Sequence, residues 1–150
     1  MNAGNTLNTA TNTIKEGFSW DSPSRTITDA HIMFFTAITG DMGKSHVDVE
    51  HSKKTKLGKP SAHGLLLASL LAKGGSNLRD KPEGFILIEQ GCKFIRPAVV
   101  GDTLTPQFVV EKIWEEGHRK FCRVKTFITN QRNEVVIEGF QLSRIIPPKE

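Results

Sequence analysis

Ser61-Ala-His-Gly-Leu-Leu-Leu-Ala-Ser-Leu-Leu-Ala72 is the stretch on which the fold turns. Its leucines stand at positions 65, 66, 67, 70 and 71. At 3.6 residues per turn they cover more than one face of a helix. A helix that is apolar on most sides has to be enclosed on most sides. Gly74-Gly75 closes its strongly apolar part, and the cover must come from elsewhere in the chain.

The sequence downstream supplies that cover as four strands. Phe85 to Arg96 precedes Pro97 and a turn at Gly101-Asp102, and Thr103 to Trp114 leads to a turn at Glu116-Gly117. Arg119 to Asn130 puts Cys122, Val124, Thr126 and Ile128 on one face at the two-residue period of a strand. Glu134 to Ile146 returns after the polar turn Gln131 to Asn133. One buried helix followed by antiparallel strands is an α+β arrangement, a sheet wrapped round a central helix.

Upstream, Arg25 to Thr28 reads as a short strand, and Asp29 as the cap of a helix carrying Ile32, Phe35 and Ile38. Gly40 stops that helix. The polar stretch Asp41 to Pro60 holds one short helix, His51 to Leu57. Residues 1–13 carry four Asn, four Thr and no charge, and a flexible polar tail is assigned to 1–16, with a single domain over 17–150.

The 150 residues suffice for one domain and not for two ordinary ones. No apolar run reaches the length of a membrane span, and no basic-then-apolar leader opens the chain. Cys92 and Cys122 are too few for a disulfide framework or a zinc site and read as reduced, buried thiols of a cytoplasmic protein. Twenty Lys and Arg against sixteen Asp and Glu suit an anionic partner. With no aromatic RNA-binding signature and no zinc-finger spacing, a phosphorylated small molecule fits as well as nucleic acid.

Two polar clusters interrupt the apolar pattern. Thr39-Gly-Asp-Met-Gly-Lys-Ser-His46 places a carboxylate and an imidazole five residues apart. Asp41 and His46 form a candidate acid/base pair, although by spacing alone Asp41 also suits a turn and His46 a solvated loop. In Ala62-His63-Gly64, Gly64 opens the buried helix. Its N–H lacks a partner inside the helix, and without a Cβ it admits a ligand to the backbone, as stabilising an oxyanion requires.

The segment Phe35-Thr-Ala-Ile-Thr-Gly-Asp41 with His46 and Ser52 resembles the hydratase motif of the MaoC-like, (R)-specific enoyl-CoA hydratase family. Ala62-His63-Gly64-Leu65-Leu66 is similar to its Ala-His-Gly element, and Phe94-Ile-Arg-Pro97 with Gly101-Asp-Thr-Leu104 to a third. Two departures stand out. Gly43-Lys44-Ser45 replaces Asn-Pro-aliphatic, so that Gly43 should loosen the loop, and Ala72 sits where many members have Ser.

The resemblance implies an α+β hot-dog fold, an antiparallel sheet wrapped around a long central helix. It implies a homodimer or dimer-based homo-oligomer acting on acyl-CoA in fatty acid metabolism, with no metal, no cofactor beyond the coenzyme A thioester, no nucleic acid and no membrane. The reaction implied interconverts a trans-2-enoyl-CoA and an (R)-3-hydroxyacyl-CoA. Carried over by position, Asp41 activates water, His46 holds that water and shares the proton transfer, and the Gly64 N–H binds the thioester oxygen. Lys53, Lys54, Lys56 and Arg96 are candidates for the coenzyme A phosphates, although a Lys-rich run also suits a solvated face, and His63 for a substrate contact or a brace of its helix. Rival readings are a hot-dog thioesterase and a non-catalytic acyl-CoA-binding subunit.

Overall fold

The computed structural model of the chain describes residues 14–72 and 84–146. The Gly74-Gly75 stop and residues 1–13 of the tail lie outside them. Residues 14–16, assigned to that tail, are ordered. Ile14 packs against the core, and the Glu16 carboxylate accepts the Ile113 N–H at 2.9 Å. An apolar side chain and a carboxylate that satisfies an N–H within the strand Thr103–Glu116 hold them down.

The strands are β1 (Ser19–Asp21), β2 (Arg25–Thr26), β3 (Gly84–Phe94), β4 (Thr103–Glu116), β5 (Arg119–Asn130) and β6 (Val135–Ile146). They form one antiparallel sheet in the order β1-β4-β5-β6-β3, with β2 also paired to β4. The helices are α1 (Asp29–Thr39), α2 (Lys44–Val47), α3 (Val49–Lys53) and α4 (Gly64–Ser69).

The alternation in β5 sets the inner face. Cys122, Val124, Thr126 and Ile128 are all 0% exposed. Leu104, Phe108 and Val110 of β4 and Ile137 of β6 join them, and Leu66, Leu67, Ala68 and Leu71 from the α4 region fill the concavity. The buried helix is shorter than the leucine run suggests. Helical bonding covers Gly64–Ser69, after which the N–H groups of Leu70, Leu71 and Ala72 donate to Leu67, Ala68 and Ser69 in tighter turns. Ahead of it, Ala62 is tied to the sheet side by its N–H to the Ala98 carbonyl, and Ser61 bridges Val99. Leu65 points away from the core.

Three further expectations shift. The α1 cap is Thr28, with Asp29 already helical, because the Thr28 N–H donates to His31 Nδ1 at 3.1 Å. Two short helices replace the one expected over His51 to Leu57. Asp48 caps α3 by accepting the His51 N–H at 2.8 Å, which starts that helix at Val49. The Asp48 carboxyl is thereby held below its usual range. Cys92 lies on edge strand β3 and is only half-buried, unlike Cys122.

Leu71 is completely enclosed. Leu71→Ala is expected to cost about 2–5 kcal/mol through lost burial and the residual cavity, read as a lower urea midpoint with an unchanged m-value.

Candidate active site

The loop after α1 builds the site. Gly40 adopts the left-handed conformation that ends the helix (φ 76°). The Asp41 N–H then donates to Thr39 Oγ1 at 3.3 Å, and the Thr39 hydroxyl donates to the Phe35 carbonyl at 2.8 Å. Asp41 Oδ1 accepts the Gly43 N–H at 3.1 Å, and the Gly43 carbonyl accepts the His46 N–H at 2.8 Å. Gly43 was expected to loosen this loop. Instead it ties the two candidate residues together from an ordinary extended conformation (φ −52°, ψ 130°). A Cβ there would sit 3.2 Å from His46 Cδ2 and 3.3 Å from Asp41 Oδ1. The missing side chain lets the acid and the imidazole close over the backbone.

His46 Nδ1 lies 2.6 Å from the Ser61 carbonyl. A carbonyl only accepts, so Nδ1 carries the proton, and the neutral ring keeps its lone pair on Nε2. By the same rule His63 Nε2–H donates to the Asp41 carbonyl at 3.1 Å, with Asp41 Oδ2 3.9 Å away. The two imidazoles stack with centroids 3.8 Å apart, and Phe35 tilts against His63 at 5.0 Å. Of the two readings of His63, a substrate contact and a brace of its helix, its packing fits the brace: it is 3% exposed and held by the Asp41 backbone, His46 and Phe35.

Gly64 follows His63 directly and opens α4, so its N–H precedes any helical acceptor. A Cβ on it would meet the Phe94 ring at 3.2 Å. Asp41, His46 and His63 offer ligating atoms all within 4.8 Å of one another, a spacing that could hold a cation. His63 Nε2–H and His46 Nδ1–H are both spent on carbonyls, and the groups not tied by these bonds are His46 Nε2, the buried and unpartnered His63 Nδ1, and the Asp41 carboxylate.

The remaining candidates lie apart from this cluster. Lys53 pairs with Glu50 at 2.7 Å on its own helix, and Lys54 and Lys56 are exposed. Arg96 donates to the Val135 carbonyl at 3.0 Å. Ser52, matched to the motif, is 1% exposed and reaches only the Ser45 carbonyl, at 3.4 Å. Sequence reasoning missed the Ser61 carbonyl, a backbone atom with no residue signature, and gave no role to Phe35, although that residue opens the matched motif.

An antiparallel sheet closed over one buried helix defines the hot-dog class. A Mycobacterium tuberculosis protein described as having a double hot-dog fold superposes with a TM-score of 0.75 at 18% identity, over 91% of this chain and 44% of that one. Within this class the chain belongs to the MaoC-like domain family, whose model matches residues 10–136. The (R)-specific enoyl-CoA hydratase of Rhodospirillum rubrum is 32% identical over 126 residues, 84% of each chain. The structure of the (R)-hydratase from Aeromonas caviae, described as involved in PHA biosynthesis, superposes with a TM-score of 0.78 at 25% identity, over 92% of this chain and all (100%) of that one.

The hydrogen bond to Ser61 makes a specific expectation for the neutral His46 ring. Long-range nitrogen–proton NMR correlations should place its proton on Nδ1, and an Nε2–H tautomer would refute the assignment.

Proposed function

We propose that this protein is a hydratase/dehydratase interconverting trans-2-enoyl-CoA and (R)-3-hydroxyacyl-CoA in the fatty acid metabolism of the cytoplasm. The observation that carries the reading is the convergence of Asp41 and His46 on the His63–Gly64 helix start, in a chain whose relatives include (R)-specific enoyl-CoA hydratases.

The chemistry follows from the free atoms. Asp41 Oδ1 is occupied by the Gly43 N–H, so Oδ2 is the oxygen available as base. His46 Nε2 accepts a hydrogen bond from the same water. As the water oxygen bonds to C3 of the enoyl group, Asp41 takes its proton and the C2–C3 π pair moves into the thioester. The charge collects on the carbonyl oxygen facing the Gly64 N–H. A donor aimed at charge that develops only during reaction favours the transition state over the bound substrate. The Asp41–His46 pair then returns a proton to C2, and the enolate collapses. The step consumes one water and needs neither metal nor redox cofactor.

The nucleotide end of coenzyme A is assigned to the Lys-rich run beyond the loop. Five lysines against Asp48 and Glu50 lie between Lys44 and Lys59, and Lys54 and Lys56 extend into solvent. Lys53 and Arg96 join them as candidate phosphate contacts, each giving up a contact it makes within the chain.

The working unit is proposed to be a homodimer. Among the described residues β3 has a single neighbour, β6, and leaves an open edge. Ile86, Leu87 and Ile88 on it are 51%, 52% and 53% exposed. A long apolar edge invites pairing with another strand, and a second β3 is its natural complement.

Crotonyl-CoA should lose its conjugated enoyl absorbance with the protein present and release no thiol, which separates hydration from thioester hydrolysis. Asp41→Asn and His46→Ala should each lower kcat by about 10²–10⁴ while leaving the thermal midpoint near wild type. Wild-type rates in both would refute the roles. Light scattering after gel filtration should give a dimer mass, and Ile88→Lys should shift it toward the monomer.

A further inference from the structure

The outer face of the sheet, turned away from the buried helix, is built differently from the inner one. In β5 the residues that alternate with the buried Cys122, Val124, Thr126 and Ile128 are Phe121, Arg123, Lys125 and Phe127. Strand register carries the pattern sideways. Phe121 lies between Trp114 of β4 and Arg144 of β6, Arg123 lies beside Lys112, and Lys125 lies beside Phe140. Three strands thus bring four aromatic rings and four cations to one face. Lys112 and Lys125 are exposed, and the rings are half-buried. No RNA-binding signature runs along the sequence, because this surface is assembled across strands and not along one.

The cations lean on the rings. The Arg123 guanidinium sits 3.8 Å from the centre of Phe140, while Lys112 Nζ and Lys125 Nζ stand 5.8 Å from the centres of Trp114 and Phe127. The two lysine contacts are at the outer limit of such an interaction, so a stronger anion draws the ammonium away and uncovers the ring. Acids share the face. Glu111 is bound to Arg123 at 2.9 Å, and Glu138 and Glu89 lie beside Phe127 and Leu142. Among the described residues, Lys112, Lys125 and Arg144 have no carboxylate partner. A second copy laid on this face would set these cations against themselves. An anion-bearing partner with flat apolar groups matches both the charge and the rings.

We propose that the outer face of β4, β5 and β6 binds single-stranded nucleic acid. Bases stack on Trp114 and Phe127, and the phosphates between them pair with Lys112, Lys125 and Arg144. Stacking accepts any base, so the surface reads single-strandedness and not sequence. A duplex keeps its base faces covered and offers only phosphates. Alternate residues of a strand are about 6.6 Å apart, a spacing that an extended single strand follows. The surface is on the side of the sheet away from the helix that Gly64 opens. The inference therefore stands apart from the acyl-CoA reading, and it departs from the expectation of no nucleic acid that the family resemblance carries.

The test is fluorescence anisotropy of labelled oligothymidylate and oligouridylate of about twelve nucleotides with the full chain. Both should bind, with affinity falling about tenfold or more between roughly 50 and 200 mM salt. The dA–dT duplex of the same length should bind at least about tenfold more weakly than the single strand. Binding should quench tryptophan emission in wild type and not in Trp114→Phe. Replacing two exposed cations together, Lys112→Glu with Lys125→Glu, should weaken binding about tenfold or more. No binding at low salt, equal binding of duplex and single strand, or unchanged tryptophan emission overturns the proposal. Binding to phosphatidylserine vesicles but not to the oligonucleotides also overturns it and assigns the face to a lipid surface. The wild-type comparisons decide the matter even if a variant does not fold.

Discussion

The hydrogen bond from His46 Nδ1 to the Ser61 carbonyl joins the two halves of the site. Residues 41–46 are the largely exposed turn after α1 and the start of the four-residue helix α2. Ser61 and Ala62, in contrast, are anchored to the sheet side through Val99 and Ala98. One short bond to a fixed carbonyl transfers that rigidity to the imidazole and also selects its tautomer. His63 repeats the device in the opposite direction, donating from the helix start to the Asp41 backbone. The candidate acid and imidazole are therefore located by the buried helix, although neither is part of it.

This coupling explains why the site tolerates glycine at 43. A stiff residue pair is one way to hold a loop, by limiting its conformations before folding. Here the folded state itself holds it. The Gly43 N–H bonds to Asp41, its carbonyl bonds to His46, and the stacked rings of His46 and His63 close the other side. The tight Cβ distances at 43 show that the glycine has become part of the fit between the two side chains.

The inner surface of the sheet divides along its length. Near β4 and β5 it is saturated with apolar side chains and carries the stability of the fold. Toward β3 the packing opens into a cavity that Gln141 lines, and β3 itself ends the sheet.

The sequence by itself determined the architecture. Leucines spread round Leu65–Leu71 require enclosure, and the two-residue period of Cys122 to Ile128 names the face that provides it. Hydrophobic burial depends on which side chains recur at which period, and that is written in one dimension. It also carried the motif that singled out Asp41, His46 and Gly64. Several features were decided only by tertiary structure. The helix starts at Gly64 because Ser61 and Ala62 before it are bonded to Val99 and Ala98, and it ends at Ser69 because the next N–H groups turn to tighter bonds. His63 is enclosed because Phe35 and His46 close on it, and the Gly43 backbone bonds to both Asp41 and His46. Backbone carbonyls as partners and ring stacking both arise between segments far apart in the chain, and no local pattern encodes such meetings.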